Sequence, residues 1–307
     1  MQLQTASVSD VGGRSRNEDA YGQWQEGARF ASVVADGAGG HGGGDTASRI
    51  AVDTVLAELE RVAQAGVALT GPNLLRVLLR ANDAIIDAQE HDGDLAQMRS
   101  TAVLLGIDQA AGLASWAHCG DTRLYCFRRG ATVVQTQDHS LVQSMIDANL
   151  LEARDVRSYP RRNVLFSALG TADDLDIAAS AEPFPIADGD AFLLCTDGFW
   201  EYLDEAVMIE ALGQASSPDE WLDLMVTQLR GSARPKHDNF TASAVWVGAA
   251  DELESASSTR ECLIHIPTSP SRCALLEIPS TRHERYPRCA FKGLDDAKSS
   301  ARQGNAY

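Results

Sequence analysis

The sequence predicts an α+β sandwich, and three observations lead to that fold class. Apolar runs alternate with turn signals only as far as about residue 248. The first strand-like run is followed by two helical patterns, and several short strand-like runs come after them. This order is typical of an α+β sandwich rather than of a doubly wound parallel sheet, in which strands and helices alternate.

The first element is the apolar run FASVVADG, residues 30–37, which is typical of a buried strand that leads into a glycine-rich loop. Apolar residues then recur at offsets of three and four over residues 47–62 and, after Pro72, over residues 74–88. This spacing predicts two consecutive amphipathic helices. Each helix is expected to lay its apolar face on a sheet.

Short strand-like runs follow these helices. Four of them, AVLLGI, LASWAH, RLYCF and ATVVQT, are separated by turn sequences at the spacing of an antiparallel meander. Two more strands are predicted at DAFLLCTDG and TASAVWVG. Between them, Ser217, Pro218 and Glu220 form a capping signature for a helix that carries Trp221.

Composition and charge exclude several classes of protein. The 307 residues carry a formal net charge of −17, from 26 basic and 43 acidic side chains. Such a balance argues against a nucleic-acid or anionic-membrane binder and suits a protein that binds cations. The sequence has no apolar run of membrane-spanning length and no secretory pattern at its start, so we expect a cytoplasmic protein.

The end of the chain differs from the rest. Residues 251–307 hold eight basic and eight acidic side chains and show no sustained hydrophobic period. The whole negative charge therefore belongs to the preceding residues. We place a domain boundary after residue 248 and expect residues 249–307 to form a disordered tail.

Acidic residues recur where predicted strands end. Asp36 and Asp197 stand beside glycine, and Asp238 with its neighbouring asparagine precedes the last predicted strand. Single aspartates at such places are more often turn or cap residues than ligands. Other segments add further acids: Glu18, Asp19 and Asp121. If the fold brings these carboxylates together, cations must offset their repulsion, and Mg²⁺ or Mn²⁺ suits oxygen ligands.

Seven ordered motifs carry a family resemblance: RSRNED, VVADGAGGHGGGDTAS, CGDTRLYCFRRG, QDHSLV, LFSALGT, LLCTDGFWE and HDNFTASAVWV. In order and spacing, residues 5–248 resemble the metal-dependent serine/threonine protein phosphatases of type 2C, in their bacterial branch. The resemblance implies a four-layer α-β-β-α sandwich with two central antiparallel sheets. It also implies a binuclear metal cleft at one end of the sandwich.

The resemblance further implies which residues hold the metals. Asp36 corresponds to the carboxylate that bridges both ions, with the backbone carbonyl of Gly37 on one ion and Asp197 and Asp238 on the other. The implied cofactor is two Mn²⁺ or Mg²⁺ ions, with a third ion in bacterial relatives. The implied reaction is hydrolysis of phosphoserine or phosphothreonine by attack of a metal-bridging hydroxide.

Other matching positions surround this centre. Glu18 and Asp19 correspond to residues that hold metal-bound waters, and Asp121 to an acid linked to the third, weaker ion. Arg14 corresponds to the arginine that grips the substrate phosphate.

Proton delivery departs from the family pattern. Ala38 stands where animal members carry a histidine. His41, in the same glycine-rich loop, is therefore a candidate for the acid that protonates the leaving group. Fastening the loop, or capping the helix near Thr46, is the alternative role for His41.

Two other functions are compatible with parts of the sequence. Gly37, Gly39 and Gly42 satisfy GxGxxG, but a second helix and then a run of strands follow, where a dinucleotide fold needs a strand after its first helix. A non-catalytic phosphopeptide-binding module of the same fold is the stronger alternative, although such a protein is expected to lose an inner ligand. We therefore expect a monomeric phosphatase that acts on phosphorylated proteins and opposes a bacterial Ser/Thr kinase.

Overall fold

Two β-sheets and six α-helices form the part of the chain that a computed structural model describes, residues 1–39 and 43–248. The strands are β1 (Leu3–Asp10), β2 (Asp19–Glu26), β3 (Arg29–Ala38), β4 (Arg99–Ser100), β5 (Ala102–Asp108), β6 (Leu113–Cys119), β7 (Arg123–Arg128), β8 (Ala131–Gln135), β9 (Ala178–Ala179), β10 (Phe184–Pro185), β11 (Ala191–Cys195) and β12 (Phe240–Val247). The helices are α1 (Gly43–Gln64), α2 (Gly71–His91), α3 (Leu141–Asp147), α4 (Asp197–Trp200), α5 (Glu205–Gln214) and α6 (Pro218–Ser232).

The two sheets have different strand orders. One sheet has five strands in the order β1-β12-β11-β7-β8. The other has seven strands; its main path runs β10-β6-β5-β3-β2, with β4 paired to β3 and β9 to β6. Neighbouring strands are antiparallel throughout the described pairs.

Three apolar layers hold the sandwich together. Between the sheets lie buried side chains from both, among them Val34, Val103 and Phe192. Helices α1 and α2 pack on the outer face of the seven-stranded sheet, and α5 and α6 pack on the outer face of the five-stranded sheet, where Trp221 is fully buried. The predicted four-layer α-β-β-α sandwich is confirmed.

The helix starts follow local chemistry. The Ser217 hydroxyl accepts a hydrogen bond from the backbone N–H of Glu220 at 3.2 Å, which satisfies one of the free donors at the start of α6. Pro218 and Pro72 occupy the first turns of α6 and α2, where a missing N–H costs nothing. The capping signature in the sequence is thereby confirmed.

The predicted antiparallel meander is wrong in one respect. Strands β5 and β6 pair within the seven-stranded sheet, and β7 and β8 pair within the other. The chain crosses from one sheet to the other at Gly120–Thr122, a link as short as an ordinary hairpin turn. Asp121 lies in this crossing.

Strand β12 ends at Val247, and the N–H of Gly248 donates to the carbonyl of Gln2 at 2.8 Å. The predicted tail, residues 249–307, lies outside the described residues, and the domain boundary stays a prediction. Within the described residues, the helices are too short or too polar to cross a membrane.

Candidate metal centre

Strands from both sheets bring acids to one end of the sandwich. In the seven-stranded sheet, Asp19 at the start of β2 is the direct partner of Asp36 near the end of β3. In the five-stranded sheet, Asp197 follows β11 and Asp238 precedes its antiparallel neighbour β12. Because the neighbouring strands are antiparallel, Asp19 and Asp36 lie at the same end of their sheet, and Asp197 and Asp238 lie at the same end of theirs. Asp121 joins them from the crossing between the sheets.

The proximity of these acids shows in their pKa values. Burial raises the pKa of Asp36 well above its ordinary value, and the charges of Asp19 and Asp197 raise it further. Burial is also the main cause that raises the pKa of Asp19 to about 7 and that of Asp197 to about 6, with Asp238 contributing to both. The carboxylates thus act on one another across a single cleft.

Asp121 and Glu18 belong to the same electrostatic cluster. Asp121 is 6% exposed, and burial raises its pKa well above the ordinary value, assisted by the charge of Asp197. Burial raises the pKa of Glu18 as well, followed by the charges of Asp45 and Asp238.

Among the described residues, several carboxylate oxygens near this cluster have no hydrogen-bond partner, those of Asp19, Asp45 and Asp197 among them. The Oδ1 atoms of Asp19 and Asp197 are buried and unpaired, whereas Oδ2 of Asp19 accepts from the hydroxyl of Thr196 at 3.0 Å. Within residues 1–39 and 43–248, no group of three or more His, Cys, Asp or Glu residues is arranged so that it could hold a metal ion. Unpaired carboxylate oxygens with raised pKa values nevertheless fit hard divalent cations, which remove the repulsion and take oxygen ligands.

The glycines beside Asp36 are required by close backbone approach. The N–H of Gly37 donates to the carbonyl of Glu18 at 3.1 Å. A Cβ atom on Gly37 would lie 1.9 Å from the carbonyl oxygen of Gly44, and a Cβ on Gly44 would lie 2.8 Å from the carbonyl oxygen of Gly37. Only glycine at both positions lets the start of α1 pack against the acidic edge.

Arg14 lies at the cleft and contacts an acid of the cluster. Its guanidinium Nη2 donates to Oδ2 of Asp238 at 2.6 Å, and the Arg14 side chain is 53% exposed. A guanidinium so placed can bind an oxyanion at the mouth of the cleft.

Asn239 organises the loop that carries Arg14 and Glu18, a role the sequence analysis missed. Its side-chain N–H groups donate to the carbonyls of Val11 and Arg16 at 2.7 and 2.8 Å, and its Oδ1 accepts from the N–H of Glu18 at 2.8 Å. These contacts join segments that are more than 220 residues apart in the chain, so no local sequence pattern predicts them.

A segment between β8 and β9, residues 141–170, which we call the flap, is tied to the body by ion pairs. Arg162 donates to the carboxylate of Glu201, and Arg157 donates to that of Glu205 at 3.0 Å. Arg157 also donates to the carbonyls of Trp200 and Leu203. These arginines therefore hold the flap in place.

The structure brings together all but one of the predicted site residues. Those that meet at the acidic end are Arg14, Glu18, Asp19, Asp36, Gly37, Asp121, Asp197 and Asp238. His41 lies outside the described residues. The individual roles of these residues stay predictions.

A group of mutually repelling carboxylates at one end of a two-sheet sandwich is typical of proteins that bind divalent cations. The sequence model of the protein phosphatase 2C family matches residues 9–231. The serine/threonine phosphatase stp of Listeria innocua is 30% identical over 234 residues, which cover 76% of this chain and 90% of that protein.

Solved structures agree with this match. The crystal structure of the Mycobacterium tuberculosis serine/threonine phosphatase PstP/Ppp is 28% identical, with a TM-score of 0.68, over 80% of this chain and 99% of that chain. A catalytic domain of PstP, solved in complex with two manganese ions, is 27% identical, with a TM-score of 0.65, over 80% and 98%. The chain belongs to the protein phosphatase 2C family, which confirms the family and the phosphatase activity predicted from the motifs.

Proposed function

We propose that this protein hydrolyses phosphoserine and phosphothreonine in phosphorylated proteins, with two Mn²⁺ or Mg²⁺ ions as cofactor. The observation that carries the proposal is the cluster of carboxylates from both sheets, with unpaired buried oxygens on Asp19 and Asp197. Membership of the protein phosphatase 2C family and the likeness to a PstP domain that holds two manganese ions support it.

Residues of both sheets would hold the cations. Asp36 and the carbonyl of Gly37 come from the seven-stranded sheet, and Asp197 and Asp238 come from the five-stranded sheet. When bound, the cations lower the pKa of water and neutralise charge on the phosphoryl group. Oδ2 of Asp19 accepts a hydrogen bond from Thr196, and its buried Oδ1 has no partner among the described residues, so Oδ1 is available to a cation or a metal-bound water.

Arg14 would bind the substrate phosphate. Its partner in the structure is a carboxylate, Asp238, and a phosphate presents the same paired oxygen acceptors. The Arg14 side chain is 53% exposed, so a phosphate can reach its guanidinium from solvent. The phosphate is then held at the acidic end, where charge must be neutralised for transfer.

The finer assignments follow from the resemblance to bacterial members. They are a bacterial Ser/Thr kinase as the opposing enzyme, a monomeric state and a cytoplasmic location. Analytical ultracentrifugation of the purified full chain tests the second of these, since a monomer of 32.9 kDa is expected.

Metal dependence is the direct test of the function. We expect protein stripped with chelator to be inactive on an aryl phosphate and on phosphothreonine peptides, and to regain turnover when Mn²⁺ or Mg²⁺ is added, because the carboxylates cannot activate water alone. Release of nitrophenolate and of inorganic phosphate measures the two reactions. Full activity in chelator would refute the mechanism, and tight phosphopeptide binding without hydrolysis would identify the non-catalytic alternative.

His41 is tested by comparing two leaving groups. An aryl phosphate releases a stabilised phenolate, whereas a threonine alkoxide must be protonated as it departs. If His41 is the acid, His41→Ala lowers turnover of phosphothreonine peptide by about a hundredfold and leaves the aryl ester nearly unchanged. An equal change for both substrates would assign His41 to fastening the loop or capping the helix.

A further inference from the structure

The crossing between the sheets constrains the backbone beside Asp121. Strand β6 ends at Cys119 and β7 begins at Arg123, so only three residues connect the two sheets. Gly120 has φ of +93°, and a Cβ atom there would lie 2.5 Å from Cγ2 of Thr101. The backbone of the crossing is therefore specified closely, and small displacements of Gly120 move Asp121.

His139 holds Gly120 from both sides. The N–H of Gly120 donates to Nδ1 of His139 at 3.1 Å, and the N–H of His139 donates to the carbonyl of Gly120 at 3.0 Å. Because Nδ1 accepts, the hydrogen of the neutral ring is on Nε2. The ring of His118 stacks on that of His139 with centroids 4.8 Å apart and planes 7° from parallel, which fixes the orientation of the acceptor.

Asp138, the residue before His139, binds Arg123 at the end of the crossing. Asp138 accepts two hydrogen bonds of 2.8 Å from the buried guanidinium of Arg123. That guanidinium lies 3.6 Å from the ring centroid of Trp200, and Nε1 of Trp200 donates to the carbonyl of Asp121 at 2.9 Å. His139 thus bonds the backbone of the residue before Asp121, and Asp138 bonds the side chain of Arg123, two residues after it.

His139 also lies at the base of the flap. The carbonyl of His139 accepts from the N–H of Phe166 at 2.8 Å, and the N–H of Leu141 donates to the carbonyl of Val164 at 2.9 Å. The two ends of the flap are therefore bonded to each other beside His139, the residue that binds Gly120.

We propose that His139 is a positioning residue that sets the cation affinity of Asp121 through its paired hydrogen bonds to Gly120. The proposal rests on the proposed function, and on the family resemblance that links Asp121 to a third, weaker cation. His139 does not touch the cations or the substrate. It acts by holding the backbone of the crossing beside Asp121, whose buried carboxylate interacts with that of Asp197.

Three variants of the full chain separate this role from simple packing. His139→Asn places a side-chain amide oxygen where Nδ1 stands and keeps the acceptor for Gly120. His139→Gln places its amide one atom further out and loses that acceptor, although it is the larger and equally polar side chain. His139→Ala removes the ring altogether. Thermal melting establishes that each variant is folded.

Calorimetric titration with Mn²⁺ alone is the readout. We expect the weaker class of sites to lose about tenfold or more in affinity in His139→Gln and His139→Ala, while the tighter class is unchanged. His139→Asn is expected to stay within about threefold of the unmodified protein. In Asp121→Asn, adding His139→Gln should change nothing further, because the residue acts only through Asp121.

The outcomes are distinct. If the unmodified protein binds Mn²⁺ in two classes and all three variants match it, the inference is wrong while the proposed function stands. If His139→Asn loses as much affinity as His139→Gln, the acceptor is irrelevant and the inference is again wrong. If the unmodified protein neither binds Mn²⁺ nor shows Mn²⁺-dependent hydrolysis, the proposed function itself fails.

Discussion

Asp36→Asn is expected to lower Mn²⁺-dependent turnover by about a thousandfold, which corresponds to ~4 kcal/mol of transition-state stabilisation. The amide keeps the size of the carboxyl group but carries no charge to offset two cations. Asp238→Asn should have an effect of the same kind. Initial rates on an aryl phosphate at saturating Mn²⁺ measure both variants.

Loss of folding is separated from loss of chemistry by two controls. Asp53 is exposed on α1, and Asp53→Asn is expected to retain full turnover. Asp36→Asn removes a charge from a repelling cluster, so the thermal stability of the metal-free protein should not fall. Full activity in both cleft variants would contradict the assignment of Asp36 and Asp238.

The metal-free protein is expected to lose stability as pH rises, and Asp19→Asn should reverse much of that loss. The folded-state pKa of Asp19 is about 7 against an ordinary value of 3.8, and that of Asp197 is about 6. The folded protein therefore binds more protons than the unfolded chain between about pH 4 and pH 7. The stability that these groups contribute is fully present at a pH below their ordinary pKa, and it is lost as the pH rises through 6 and 7.

The measurement is thermal melting in chelator from pH 5 to pH 8, without and then with Mn²⁺. At pH 8 we expect metal-free Asp19→Asn to melt about 5 °C above the unmodified protein, since it has no charge to bury. The variant should also gain less from Mn²⁺. Asp53→Asn should follow the unmodified curve at every pH. A variant that melts at or below the unmodified protein at pH 8 would show that Asp19 is not under electrostatic strain.

Much of the fold was predictable because its helices and strands have strong local patterns. The apolar periods of α1 and α2 and the cap at Ser217 need no tertiary contact to be recognised. Strands β1 and β2 were missed, since their residues are mostly polar or half-buried and lack a continuous apolar run. The assignment of β6 and β7 to one meander failed because a three-residue crossing has the length of a hairpin turn.

The site was predictable for a different reason. An aspartate beside glycine at a strand end is a local signal, and the family resemblance ordered these signals into one cleft. The supporting contacts have no such signal. Asn239 reaches the loop of Glu18, and Trp200 reaches the carbonyl of Asp121, only because distant strands lie side by side in the folded sheets.

The acids are divided between two sheets, so the distances between them depend on how the sheets pack. Asp19 and Asp36 lie in strands of one sheet, and Asp197 and Asp238 flank strands of the other. The side chains packed between the sheets therefore set the distance between the two pairs of acids. A slide of one sheet over the other by a fraction of an ångström changes the spacing of opposed carboxylates. If the acids hold cations as proposed, we expect substitutions at Val34 or Phe192, which are buried in the apolar layer between the sheets, to change which cation radius the site accepts.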